Sequence, residues 1–375
     1  MPKLKAAIVI PTQPDLKSSL QNLLKVYEYM IKKHGVEVTI FTDKKNDFSY
    51  KGFNVEKIKG FDYRTPIEKV LFLLGLPRFF YFDLVEKLKG YDVIESSNPE
   101  FYWFAYQSYL AAKEYGARLI YRTSQTVEGF FLFRFTKPVA LYFARRACGY
   151  AKYMLFANHE AEKRYIDLGL LQTGSKKSLV IGHPVDTKCF RPLKVEKPAR
   201  KVVLSVGGLY KLKGHHIIIS AVEKLLHTGY DIELWIVGDG YFKNELIKLA
   251  QNLGISDNVK FLGAKKHEEL AKIYNQASVF VLANFQEVTP AVNEALACRV
   301  PVVAMECGGV DFVIKNQNYG IVTKKFDADG LADGIKRMLD NRKYAGKTAE
   351  NGRKHILGNF SIEKAAEKIY RCFTG

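Results

Sequence analysis

The chain has 375 residues, with 47% hydrophobic and 26% charged positions, a mass of 42.7 kDa and a mean hydropathy of −0.13. That length supplies a large buried core over two or three domains of about 100–200 residues, and the composition excludes disordered, collagenous and small disulfide-stapled classes. Lys and Arg total 57 against 39 Asp and Glu, a formal charge of +18, which favours anionic partners: nucleic acid, acidic lipid surfaces or phosphorylated small molecules.

The opening Met1-Pro-Lys-Leu-Lys precedes only six apolar residues, Ala6 to Pro11, too few for a signal-peptide core, and no apolar run approaches the ~18 residues of a membrane span. The five cysteines form no Cys-x-x-Cys pair and no zinc-type spacing. A mature start and a reduced, cytoplasmic setting are expected. Lys5 to Ile10 (KAAIVI) predicts a strand, Pro11 to Asp15 a loop, and Leu16, Leu20, Leu23, Leu24, Tyr27 and Met30 the apolar face of a helix. Val36 to Thr42, Tyr91 to Glu95, Ala117 to Arg122 and Tyr153 to Ala157 repeat the short apolar run between helix-length segments, the pattern of buried parallel strands. Thr187 to Lys201, rich in Lys, Arg and Pro, has linker composition. A second strand series follows: Lys201 to Val206, Ile232 to Val237, Val259 to Leu262, Val279 to Leu282 and Val300 to Met305. The expected architecture is α/β: two Rossmann-like, doubly wound domains, residues 1–190 and 200–358, with a terminal helix in 361–375 that packs back on the first.

Two segments carry candidate chemistry. Ser205-Val-Gly207-Gly208-Leu-Tyr-Lys211-Leu-Lys213-Gly214 runs from a strand through a glycine turn into a helix. Exposed backbone N–H groups, a helix N-terminus and an ammonium suit a diphosphate. It is neither Walker A nor a Gly-x-Gly-x-x-Gly fingerprint. Gln286-Glu287-Val-Thr289-Pro-Ala-Val-Asn-Glu294 follows the strand Val279 to Leu282, where a doubly wound sheet places its ligand crevice; a carboxylate there can accept two ribose hydroxyls.

These segments, with VGDGYFKNELIKLA (237–250, containing Gly240), NVKFLG (258–263), NEALACRVPVVA (293–304), GGVDFVIKNQNYGIV (308–322) and NFSIEKAAEKIY (359–370), resemble glycosyltransferase family 4, retaining enzymes of the GT-B fold that use nucleotide-activated sugars. The first half is similar through YDVIESSNPE, ANHEAEKRY and VIGHPVDTKCFRP. The resemblance implies two domains facing each other across a cleft, with Lys213 as the diphosphate-binding lysine, Gly207, Gly208, Lys211, Gly240 and Thr289 beside the donor, and Glu294 on the nucleotide ribose. The family's other glutamate, which contacts the donor sugar, falls on Gln286 counting back from Glu294 and on Glu287 counting forward from the strand. The family's diphosphate-binding arginine is replaced by Gly208, its first-domain histidine by Gln125, and the glycine pair of its first loop by Thr12-Gln-Pro-Asp15. Gln125 cannot act as acid or base. The implied activity is metal-independent hexosyl transfer to a lipid-linked or cell-surface glycan, with no cofactor beyond the donor.

Three features carry plainer readings. Asp327-Ala-Asp329 has the form of a metal-binding Asp-x-Asp but opens a helical segment, where capping is expected. His215-His216 reads as helix surface or core, and His183 as a residue shaping the interdomain loop. Phe130 to Arg146 (FFLFRFTKPVALYFARR) interleaves aromatics with cations and suits an anionic membrane surface on the cytoplasmic face, joined by Phe72 to Phe82; domain core with a solvated basic face is the alternative. The competing functions are a non-catalytic GT-B partner subunit or scaffold at the membrane, motivated by Gly208 and Gln125, and a nucleic-acid-binding protein. No recognised motif supports the last, and no nucleic-acid partner is expected.

Overall fold

The structure, a computed structural model, describes residues 3–11, 19–44, 46, 52–60, 80–100, 103–123, 137–287 and 289–375. It divides into two compact units: Met1–Gly182 with Glu363–Gly375, and His183–Ile362. The first contains β1 (Lys5–Val9), α1 (Ser19–His34), β2 (Glu37–Asp43), β3 (Asn54–Ile58), α2 (Leu84–Lys87), β4 (Val93–Ser97), α3 (Trp103–Tyr115), β5 (Arg118–Thr123), α4 (Lys137–Tyr150), β6 (Tyr153–Phe156), α5 (His159–Asp167) and β7 (Ser178–Val180). Its strands form one parallel sheet in the order β3-β2-β1-β4-β5-β6-β7. The central strands are apolar because helices cover both faces: Ala6, Ala7, Ile8 and Val9 of β1 are all buried.

The second unit contains β8 (Lys201–Val206), a 3-10 turn (Lys211–Lys213), α6 (His215–His227), β9 (Ile232–Val237), α7 (Lys243–Asn252), β10 (Val259–Gly263), α8 (His267–Gln276), β11 (Val279–Leu282), α9 (Pro290–Ala297), β12 (Val302–Met305), α10 (Val310–Val313), β13 (Ile321–Thr323), α11 (Ala328–Asp340) and α12 (Arg342–Asn359). Its parallel sheet has the order β10-β9-β8-β11-β12-β13. The terminal helix α13 (Ile362–Thr374) buries Ala365, Ala366, Ile369, Cys372 and Phe373. Within the first unit, its Glu367 meets His34 at 3.0 Å, its Tyr370 ring stacks on His34 at 3.7 Å, and the Arg118 guanidinium donates to the Phe373 carbonyl.

Three expectations change on folding. The Lys- and Pro-rich stretch after Thr187 is no loose connector: Phe190 is fully buried beside Tyr274, and Asn275 accepts from the Leu193 N–H at 2.8 Å and donates to the Arg191 carbonyl at 2.9 Å. The aromatic-basic stretch divides. In α4, Leu141, Ala144, Ala147 and Cys148 are core, while Val139, Tyr142, Arg145, Arg146 and Tyr150 lie exposed on the opposite face; Phe130 to Thr136 and Phe72 to Phe79 lie outside the described residues. Three short strands, β3, β7 and β13, were not read from the sequence; each lies at a sheet edge and is three to five residues long. Asp327 caps α11 as expected, accepting from the Gly330 N–H at 2.7 Å. Among the described residues no helix is long and apolar enough to cross a membrane.

Candidate functional site

In the second sheet the chain leaves β8 toward β9 on one side and enters β11 with β12 on the other, so the strand order reverses between β8 and β11. Ligands of open α/β sheets bind outside the carboxyl ends of the strands at such a point. The loop after β8 carries Gly207, Gly208, Lys211 and Lys213; the loop after β11 carries Gln286, Glu287 and Thr289, and leads to Glu294 on α9.

Close backbone approaches explain the glycines. Gly214 adopts φ +69 at the start of α6, and a Cβ there would run into the Ala283 carbonyl at the end of β11. This contact seats one loop on the other, reinforced by the Phe285 N–H donating to the Leu212 carbonyl at 3.1 Å. Gly214→Ala is expected to destabilise the protein by roughly 2–4 kcal/mol, the sum of left-handed strain and overpacking, read as a fall in urea midpoint at constant slope. Gly240 has a similar reason: its Cβ would stand 2.5 Å from the Leu209 carbonyl oxygen, in a turn where the Leu209 N–H donates to the Asp239 carbonyl at 2.9 Å. Gly240 thus packs one carboxyl-edge loop on another. At Gly208, a Cβ would meet the Tyr210 ring at 2.5 Å. The missing side chain makes room for that tyrosine.

Asn284, fully buried, shapes the loop after β11: its amide donates to the Glu287 carbonyl at 2.7 Å and its oxygen accepts from the Gln286 N–H at 3.3 Å. The Gln286 carbonyl accepts from the Gly308 N–H at 2.9 Å, which adds the loop after β12. Thr289 precedes α9 in extended conformation with Pro290 at the first helical position. Its hydroxyl is shut off from solvent without a hydrogen bond, an unmet requirement that a ligand could satisfy.

Lys213 is half-buried. Burial pulls its ammonium below the ordinary lysine value, while Glu287 and Cys307 oppose that shift. Burial chiefly, and the Lys213 charge next, lower His183 to about 4, so this ring is neutral at physiological pH. Its Nε2 lacks a partner, and its carbonyl accepts from the Asn293 side chain at 2.6 Å. The ammonium therefore shares its surroundings with a carboxylate, a thiol and a neutral imidazole. Of the two candidates for the first acidic position, Glu287 is the one whose charge acts on Lys213. Lys211 is exposed, and its charge acts on His216 instead. His215 is core: burial lowers it to about 4, and its Nδ1 lies 3.2 Å from Ser205 Oγ behind the glycine turn.

Glu294 is 1% exposed, on a helix whose residues Ala291–Ala297 are all buried. Its Oε2 accepts from the Tyr274 hydroxyl at 3.0 Å; its Oε1 has no partner. Burial pushes the carboxyl up to about 7, against the lowering effect of the Tyr274 bond. A buried acceptor with one vacant oxygen is an incomplete hydrogen-bond set, which a diol would complete.

Gln125 and the Thr12 to Asp15 loop lie outside the described residues. Asn284, Asn293, Tyr274 and Cys307 lie against the candidate residues, at Glu287, His183, Glu294 and Lys213 respectively, and escaped the sequence reading. Asn284, a turn-forming side chain directly after a strand, offered a local signal; Tyr274 and Cys307 reach the site from distant segments and offered none. Among the described residues no group of three His, Cys, Asp or Glu side chains converges as metal ligands.

Residues 189–355 match the family model for glycosyl transferases group 1, a span holding every side chain placed above except His183. The chain is 29% identical over 171 residues to the alpha-D-kanosaminyltransferase of Streptomyces kanamyceticus, covering 45% of this chain and 44% of that protein. It is 30% identical over 172 residues to the lipopolysaccharide core biosynthesis glycosyltransferase LpsE of Rhizobium meliloti strain 1021, covering 45% and 49%. The chain thus spans less than half the length of these curated relatives. Among solved structures, Anabaena Alr3699/HepE in complex with UDP and glucose superposes with a TM-score of 0.77 at 17% identity, over 99% of this chain and 100% of that one. The two Rossmann-like α/β units are those of the GT-B fold.

Proposed function

We propose that this chain is a retaining glycosyltransferase of the family 4 type, moving a sugar from a nucleotide diphospho-sugar to an acceptor hydroxyl. The observation that carries this reading is the placement of a half-buried Lys213 in the turn after β8 and of Glu294, one of whose oxygens has no hydrogen-bond partner, on the helix that follows β11, the two strands that flank the switch point. As the anomeric bond breaks, negative charge grows on the departing diphosphate. Lys213 and the N–H groups of the glycine turn stabilise that charge, and no metal is needed where they do so. Glu294 accepts from the ribose hydroxyls, and Glu287 orients the sugar beside Lys213. The acceptor oxygen bonds to the anomeric carbon on the face the diphosphate leaves, and its proton passes to the departing oxygen. Gln125, whose amide neither gives up nor takes a proton near neutrality, serves only as a polar contact.

The acceptor is a lipid-linked or cell-surface glycan, and the protein works at the cytoplasmic face of a membrane. The exposed Val139, Tyr142, Arg145, Arg146 and Tyr150 face of α4 supports this partner. A screen of intact nucleotide sugars, starting with UDP-glucose and run in EDTA, tests the whole reading by mass spectrometry. Release of a nucleoside diphosphate in the presence of acceptor is expected. Absence of binding to UDP, GDP and ADP by calorimetry would instead leave the non-catalytic partner subunit, the reading that Gly208 favours.

A further inference from the structure

A row of aromatic rings crosses the carboxyl edge of the second unit. Tyr210 contacts Tyr241 at 5.4 Å between ring centroids, Tyr241 contacts Phe242 at 6.5 Å, Phe242 contacts His216 at 6.0 Å, His216 contacts Phe285 at 5.7 Å, and Phe285 contacts Phe326 at 4.7 Å. The middle of the row is packed; its ends are not. Tyr241 is 75% exposed and Phe326 65%, with Leu212 at 48% and Tyr210 at 37% beside the lysine turn.

Folding alone accounts poorly for these ends. Phe326 sits at φ +59, a left-handed conformation that is strained for a bulky residue, and recovers little by burial. Tyr210 occupies space that a side chain at position 208 would claim. Along the chain, Lys211 follows Tyr210, Lys243 follows Phe242, and Lys324 and Lys325 precede Phe326. The nearby acids Asp239 and Asp327 each accept from a local backbone N–H, of Gly240 and Gly330 respectively. Exposed aromatic and aliphatic tips among lysines are complementary to a surface that is apolar below and anionic at the level of its headgroups.

We infer that the Tyr210, Leu212, Tyr241 and Phe326 rim of the second unit inserts into an anionic lipid bilayer, with Lys211, Lys243, Lys324 and Lys325 on the headgroups. The inference deepens the reading of a membrane-borne acceptor and rests on it. It is separate from the α4 face, and it places a lipid contact on the loops that hold Lys213.

Flotation with mixed phosphatidylcholine–phosphatidylglycerol vesicles tests it, using the full chain, the Tyr241→Ser/Phe326→Ser variant, the Lys324→Gln/Lys325→Gln variant and, for comparison, the α4 variant Tyr142→Ser/Arg146→Gln. The wild type is expected to float with anionic vesicles and to release in high salt, and each rim variant to partition at least about tenfold more weakly. UDP binding, measured on the same samples, is expected to be equal in all of them. A wild type that does not float, or rim variants that float as the wild type does while only the α4 variant fails, overturns the inference. So does a dimer in sedimentation that the rim variants dissociate, since the rim would then be a protein interface. Floating without any UDP binding would support the rim and sink the glycosyltransferase reading.

Discussion

Lys213→Ala is expected to slow nucleoside diphosphate release about 100- to 1,000-fold in kcat, corresponding to ~2.7–4 kcal/mol for one preorganised donor to the departing charge. The effect should fall mainly on kcat, because the ammonium gains most when negative charge has moved onto the leaving group. Gly208 stands where the family resemblance places an arginine, so the loss should not be shared with a second side-chain cation there. Stability should not fall with activity: Lys213 is held below its ordinary value by burial, so removing the charge removes a desolvation cost. Neighbouring His183 supplies a second readout. Its imidazole, lowered to about 4 by burial and by Lys213, should titrate higher in the variant by NMR. A variant that transfers sugar at the wild-type rate would remove Lys213 from the mechanism.

Glu294→Gln should weaken donor affinity and relieve the protein in the same substitution. In the folded protein, burial pushes the carboxyl up from 4.5 to about 7. A raised acid favours folding fully below its unfolded value, and that advantage is lost as pH rises through the folded one. The neutral amide has no such dependence. Between about pH 4.5 and pH 8 the stability difference should therefore move by ~3 kcal/mol in favour of the glutamine variant, checked by urea unfolding at both pH values. Affinity goes the other way: exchanging a charged double acceptor for an amide costs at least one charge-assisted hydrogen bond, about 1.5–3 kcal/mol, or roughly 10- to 100-fold in Kd. Measured with an intact nucleotide sugar, whose diphosphate does not titrate near neutrality, wild-type affinity should decline below pH 7 and that of the variant should not. His183 and His215, lowered to about 4, are neutral near pH 7, where the affinity begins to change, and titrate well below it. A wild-type affinity independent of pH would show that Glu294 does not hold the ribose.

Sequence alone determined the two parallel α/β series and the loops at the carboxyl edge from which the candidate site is built, because both signals are local. A strand buried on two faces must be an apolar run, as VFVL of β11 and VVAM of β12 are, and a turn that brings two backbones together must use glycine, as at Gly214. The edge strands β3, β7 and β13 escaped because they are short and only partly buried, so few apolar positions mark them; β10, also at an edge, was legible through Val259, Phe261 and Leu262. The closeness of the Glu287 charge to Lys213, the different surroundings of Lys211 and Lys213, the buried grip of Tyr274 on Glu294, and the neutral His183 near Lys213 were decided only by tertiary structure. Each depends on burial and on charges brought together from separate segments, and neither desolvation nor a Coulomb interaction across the fold is written in the spacing of residues along the chain.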